Sequence, residues 1–188
     1  MNRIRAERGL TLLETVIFLA IAGVIIAAVW IVVAEVNFHN QVAQTEQAVI
    51  TTAARILDFY KDRPMDTGLT NTVAIDTNLV SSDLIVDGTL QHYLGTSSTV
   101  NLIVISSSAV ATCGAGQDFY IELQNVRPDA CAQLATDLSG TQTNMVSNNI
   151  ASLLIGGTNV TAGQSLDVSK VETACANSAT IDICFQQP

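Results

Sequence analysis

Basic residues are scarce: 8 Lys and Arg stand against 17 Asp and Glu, a formal charge of −9. A nucleic-acid binder usually carries a basic stripe, and this balance argues against one. Histidine numbers 2 and proline 3, which leaves little material for a metal enzyme or a flexible adaptor. Charged residues make up only 13% of the chain beside 48% apolar, about half the usual ~25% charge of soluble domains. That combination excludes intrinsic disorder, which needs low hydrophobicity and high charge. Motifs that carry chemistry are missing too: there is no H-E-x-x-H, no G-x-x-x-x-G-K, no nucleophile elbow and no EF-hand pattern. The sequence therefore predicts no enzyme, no catalytic residues, no metal and no cofactor. Its 188 residues give room for one domain, and a mean hydropathy of +0.38 is low for a polytopic membrane protein.

What is present is concentrated near the N-terminus. Three of the 8 basic residues, Arg3, Arg5 and Arg8, lie within the first nine positions. From Val16 to Ala34 run nineteen residues with no charge and nothing more polar than Gly23 and the indole of Trp30. At 1.5 Å per residue such a helix is about 29 Å long, enough to cross a hydrocarbon core of about 30 Å. The basic flank precedes it, so the positive-inside rule keeps the N-terminus cytoplasmic and sends the remainder across. A cleaved secretory signal fits poorly, because its apolar region spans about 7–15 residues. A plain anchor does not account for Glu14. A carboxylate central in a span costs roughly 2.5–3.5 kcal/mol on the translocon scale, so one at its edge asks for a partner.

Gly9-Leu10-Thr11-Leu12-Leu13-Glu14, followed by the apolar run, resembles the class III signal of the type IV pilins and their relatives. The resemblance implies that a membrane peptidase cuts between Gly9 and Leu10 and N-methylates Leu10. Glu14 is then the fifth residue of the mature chain, where the family has its glutamate. Leu at the first mature position, where many members have Phe, leans toward the type IVb branch. The chemistry is consistent: cleavage creates an ammonium at Leu10, and Glu14 lies one helical turn away on the same face. In a filament the glutamate of an incoming subunit can pair instead with the amine of its neighbour. That pairing offsets the cost of holding both charges in lipid or an apolar core, and it sets the axial register.

Beyond the span the apolar positions become periodic. Phe38, Val42, Val49, Ala53, Ile56 and Tyr60 recur at three-, four- and seven-residue spacings, with Ile50 and Leu57 beside them. Gln41, Gln44, Glu46, Gln47, Arg55 and Asp58 fill the opposite face. No proline interrupts Leu10 to Arg63, and Pro64 marks the stop. The pattern predicts one helix over about 10–63, about 80 Å long, apolar all round in its first half and amphipathic in its second. Gly23 reads more readily as a point of close helix approach than as one of local stretching or melting in a filament, and His39 more readily as a solvated residue just past the span than as a pH sensor.

Residues 65–188 contain short apolar runs separated by turn formers. Asn101–Ile105, Phe119–Leu123 and Thr180–Phe185 read as strands, and Ser152–Val160 as a strand bent at Gly156-Gly157. Asp129–Leu138 and Asp167–Ala176 read as helices, while Val73–Ile75 and Leu84–Val86 suit a strand or a helix edge equally. The class is α+β, with an antiparallel sheet able to lie on the amphipathic helix. Four cysteines, Cys113, Cys131, Cys175 and Cys184, form no C-x-x-C pair, which gives a zinc site little support. Topology places them outside the cytoplasm, where disulfides persist, and four cysteines allow three connectivities.

Phe119–Leu123 followed by Val126 to Leu134 resembles the strand, loop, cysteine and helix that begin the C-terminal loop of type IVb pilins such as the toxin-coregulated and bundle-forming pilins. Asp167 to Cys175 resembles the end of that loop. The resemblance implies a Cys131–Cys175 bridge and, with it, Cys113–Cys184 as a second one, which departs from the single bridge expected of the family. The implied fold is the type IV pilin fold: a long N-terminal helix on an antiparallel sheet with a bridged C-terminal region. The implied organisation is a leader over 1–9, a transmembrane and filament-core half-helix over 10–35, and the amphipathic half-helix with the globular head over 36–188.

The function so implied is a pilus subunit that polymerises with copies of itself for adhesion, conjugation, motility or DNA uptake. Implied partners are the prepilin peptidase, an assembly ATPase, an inner-membrane platform and an outer-membrane secretin, with no direct nucleic-acid binding. The subunit is expected in the inner membrane, its C-terminal part periplasmic, before assembly and in an extracellular filament afterwards. A minor pilin or type II secretion pseudopilin is the near alternative, although pseudopilins generally lack the bridged loop. A membrane-anchored monomeric adhesin or receptor ectodomain is the alternative of another class. Without the leader the chain holds 8 − 3 = 5 basic and 17 − 1 = 16 acidic residues, a formal charge of −11.

Overall fold

The computed structural model describes residues 12–62, 68–95, 102–107, 113, 118–139, 149–162, 165–176 and 179–186. The chain divides into two units, Met1–His39 and Asn40–Pro188.

The described part of the first unit is helical and belongs to α1, Leu12–Tyr60. Its large apolar side chains face outward on every side: Leu12, Phe18, Val24, Trp30 and Ile31 are each at least 70% exposed. A helix apolar all round is stable only inside lipid or among other helices, because no face of it is matched to water.

In the second unit the same helix changes character. Val42, Thr45, Val49, Thr52, Ala53, Ile56 and Tyr60 are buried, at spacings of three and four residues that place them on one stripe. Two of these are hydroxyls. Thr45 returns its proton to the Gln41 carbonyl one turn back, at 2.9 Å. The Thr52 hydroxyl has no partner. It borders a void of about 10 Å³ lined by Val49, Val80, Leu84, Ile103, Ile105 and Ile121, at the lower bound for a single water and without polar lining. Thr52→Val is therefore expected to raise the unfolding free energy by about 1 kcal/mol, the penalty of a buried unmade hydrogen bond. Denaturant unfolding measures it, and a loss of stability would show that the hydroxyl is satisfied.

The short helix α2, Asn71–Asp76, is capped by the Thr70 hydroxyl, which accepts from the Val73 amide. Ser82–Leu84 form one 3₁₀ turn. A hairpin of β1, Ile85–Val86, and β2, Thr89–Leu90, follows. Its two-residue loop puts Asp87 at φ +49° and Gly88 at φ +76°. Positive φ at both positions is what an Asp-Gly hairpin turn supplies.

The main sheet has five strands in the order β3-β4-β9-β5-β6: β3 Ile103–Ser106, β4 Phe119–Val126, β9 Ala179–Phe185, β5 Ile150–Ile155 and β6 Thr158–Asn159. Every pairing is antiparallel. Strand β9 is central, and its last five residues are all buried, so both faces of the sheet are covered there. On β4 burial alternates from Phe119 to Leu123. Phe119 lies opposite Phe185 in the register, and the two rings stack at 4.9 Å. The bend expected at Gly156-Gly157 is the β5–β6 hairpin turn. The Asn71 side chain covers the edge of β3: its amide nitrogen donates to the Ile103 carbonyl at 2.7 Å and its oxygen accepts from the Ile105 amide at 2.6 Å. An edge strand occupied in this way is not a template for another chain.

Two helices and a small hairpin complete the head. Helix α3 is Pro128–Ser139, opening on a proline whose fixed φ suits a first helical position. Strands β7, Thr161–Ala162, and β8, Ser165–Leu166, pair with each other. Helix α4, Val168–Ala174, is capped by Asp167, whose carboxylate accepts from the Lys170 amide.

Candidate functional site

The residues singled out by the sequence fall into two groups. Gly9 and Leu10, the implied cleavage and methylation positions, lie outside the described residues. Glu14 is exposed in the first turn of α1, where the positive end of the helix dipole favours a carboxylate. Thr15 donates to the Leu12 carbonyl at 2.8 Å.

The second group is in the head. Cys131 is bridged to Cys175, with Cα atoms 5.7 Å apart, and Cys113 to Cys184, with Cα atoms 5.9 Å apart. The first bridge ties the opening turn of α3 to the C-terminal end of α4. The second fastens Cys113 to the buried central strand β9. Cys131, Cys175 and Cys184 are almost wholly inaccessible, and Cys113 is half-buried.

A groove of about 370 Å³ runs between α1 and the connection over 81–93. Gln44, Gln47, Thr51 and Arg55 line one side, and Asp83 and Tyr93 the other. The Tyr93 hydroxyl donates to the Asp83 carbonyl at 3.0 Å. These groups supply hydrogen bonds without pairing a nucleophile with a base. Among the described residues no cluster of three or more His, Cys, Asp or Glu side chains is arranged to hold a metal ion.

Three polar residues with structural weight escaped the sequence reading. Asn71 is one, as the cover of β3. His92 is the second: it is buried, its Nδ1 accepts from the Leu94 amide at 3.1 Å and its Nε2 lies 2.7 Å from the Gln124 carbonyl. The Leu94 donor leaves the ring proton on Nε2, so the imidazole is neutral and pins the connection to β4. Burial pushes its pKa below the usual histidine value, against a smaller upward pull from the Gln124 carbonyl. Asp182 is the third, a carboxylate in the middle of β9. Only the alternation Ile181-Asp182-Ile183 hinted at it, and alternation predicts an exposed face.

Compared with known proteins, residues 39–186 match the family model described as PilS N terminal. The chain belongs to the PilS family. The match begins beyond the apolar run, so it is carried by the head and not by the motif at Gly9–Glu14. The crystal structure of the type IV b pilin from Salmonella typhi is similar in fold, with a TM-score of 0.57 at 16% identity over 77% of this chain and 99% of that one. A search of the curated proteins finds no match. The pilin fold accounts for the long helix, the antiparallel sheet and the bridged C-terminal region together.

Proposed function

We propose that this pilin is made as a prepilin with a leader over 1–9, held in the inner membrane by its apolar half-helix over 10–35, with the amphipathic half-helix and globular head over 36–188 on the periplasmic side. The prepilin peptidase cuts between Gly9 and Leu10 and methylates the new amine of Leu10. An assembly ATPase and an inner-membrane platform then move the subunit from lipid into a growing homopolymer, which leaves through an outer-membrane secretin as an extracellular pilus.

The observation that carries this reading is the contrast along α1. Residues such as Leu12, Phe18 and Trp30 are exposed, whereas the stripe from Val42 to Tyr60 is buried. The first surface demands an apolar environment that lipid supplies before assembly and neighbouring helices supply afterwards. Two bridges in the head suit an extracellular fibre, where the surroundings do not reduce them. The acidic head keeps such surfaces soluble and mutually repulsive until the helices hold them together.

Mass analysis of the mature chain recovered from membranes, from the medium and from the sheared surface fraction tests the processing. The expected N-terminus is Leu10 with one added methyl group. An intact Met1 would mark a plain anchor, and a start near Val36 a secreted protein. Either result would overturn the pilus assignment.

A further inference from the structure

On the sheet face turned away from Val49 and Thr52, Asp182 has no neighbour among the described residues that neutralises it. It is 5% exposed, and its Oδ1 makes no hydrogen bond. In the register it stands between Glu122 of β4 and Leu154 of β5. Ser152 of β5, opposite Cys184 and so on the same face, is 6% exposed and its hydroxyl is also unpartnered. Among the described residues the ion pairs are Lys61–Asp58, Arg127–Asp129 and Lys170–Asp167, and none involves Asp182 or Glu122.

Two carboxylates directly opposite on antiparallel strands have Cβ atoms about 4.5–5.5 Å apart, and as like charges they destabilise the pair. One proton reverses the sign, because a carboxyl O–H donated to a carboxylate is among the stronger hydrogen bonds. The two members are not equivalent. Glu122 is half-buried, and its Oε1 already accepts from the Gln124 side-chain amide. Asp182 is the deeper group, and it has an oxygen to spare.

We propose that Asp182 and Glu122 form a proton-binding pair in which Asp182 takes up one proton in mildly acidic surroundings and donates it to Glu122, tightening the β4–β9 junction and making the head more stable in acid.

The titration agrees in direction. Burial first, and the Glu122 charge second, push the Asp182 carboxyl up to about 6 from its ordinary value of 3.8. The folded chain thus holds more protons than the unfolded one between these values. Stability is gained as pH falls through about 6 and lost as pH rises through it. On the strands beside β9 the other titratable group on this face is Tyr120 of β4, opposite Cys184, and the β5 residues opposite Cys184 and Asp182 are Ser152 and Leu154; α3 carries Asp129 and Asp137. Asp129 pairs with Arg127, and Asp137 interacts with Glu46 of α1. His92, neutral and buried, acts with the opposite sign: the unfolded chain binds its proton first below about pH 6.5, which removes stability in acid. The comparison between wild type and variant cancels the histidine.

The test is thermal unfolding of the full chain in non-ionic detergent between about pH 4.5 and 8, for wild type, Asp182→Asn and Glu122→Gln. Asp182→Asn is expected to melt several degrees above wild type near pH 7.5, with the gap closing near pH 5. Glu122→Gln is expected to give a smaller gain and to lower the Asp182 titration midpoint. If Asp182→Asn fails to fold, carboxyl-carbon NMR of Asp182 in the wild type decides: a midpoint near 6 supports the pair, and one at or below about 4 overturns it. A gap independent of pH also overturns it. So does a calcium-dependent rise in the wild-type melting temperature at neutral pH that Asp182→Asn abolishes, which would mark a cation site instead.

Discussion

A Glu14→Ala chain is expected to be cleaved after Gly9 like the wild type and to yield few or no filaments. In the assembly proposed above, the Leu10 ammonium of one subunit meets the Glu14 carboxylate of another inside an apolar bundle. Removing the carboxylate leaves that ammonium buried and unpaired, a loss of about 3–5 kcal/mol for a buried pair broken on one side. At about 1.4 kcal/mol per tenfold, the filament yield at a given subunit level should fall roughly a hundredfold or more. Cleavage should survive because the proposed cut, at the Gly9–Leu10 bond, lies on the leader side of Glu14. Immunoblots of sheared filaments, together with the mass of the cell-retained chain, measure both quantities. A wild-type filament yield from Glu14→Ala would remove the pairing role. Loss of cleavage would move the role of Glu14 from assembly to processing.

Removing the bridge between α3 and α4, with Cys131→Ala and Cys175→Ala together, is expected to lower the melting temperature of the head by about 10 °C. The two cysteines are 44 residues apart. The chain-entropy relation gives about 4 kcal/mol for a closed loop of that size, and a domain of about 150 residues shifts by about 2–4 °C per kcal/mol. The effect is large here because the loop contains much that cannot replace it. Strands β6, β7 and β8 are two residues each, and the segment from Ser139 to Gly163 is rich in Gly, Thr and Asn. Paired alanines avoid a lone buried thiol or hydroxyl. The bridge between Cys113 and Cys184 spans 71 residues and is worth slightly more by the same relation. Its Cys113 end is the more accessible, so it is expected to be reduced first under mild thiol treatment. An unchanged melting temperature on confirmed loss of Cys131–Cys175 would show that packing of α3 and α4 suffices without it.

The local elements were legible where local rules decide them. Absence of charge over Val16–Ala34 and of proline as far as Arg63 marks α1, and the three- and four-residue spacing marks its buried stripe. Two local readings shifted for identifiable reasons. Val73–Ile75 left strand and helix equally open, and the Thr70 cap made it the helix α2. The strand expected over Asn101–Ile105 is β3, Ile103–Ser106, where Leu123 to Tyr120 of β4 supply its antiparallel partners.

The sequence by itself determined that this protein has an apolar helix needing lipid or other helices, and a polar head that carries all four cysteines. Those features follow from composition and short-range periodicity, which the chain carries wherever it is folded. Only the tertiary structure decided that β9 lies between β4 and β5, and with it the environment of Asp182. An acidic residue between two isoleucines reads as solvent-facing on an edge strand. In a central strand covered on both faces it becomes a buried carboxyl opposite Glu122. Strand order joins residues sixty positions apart, and no local pattern encodes which strand takes the middle.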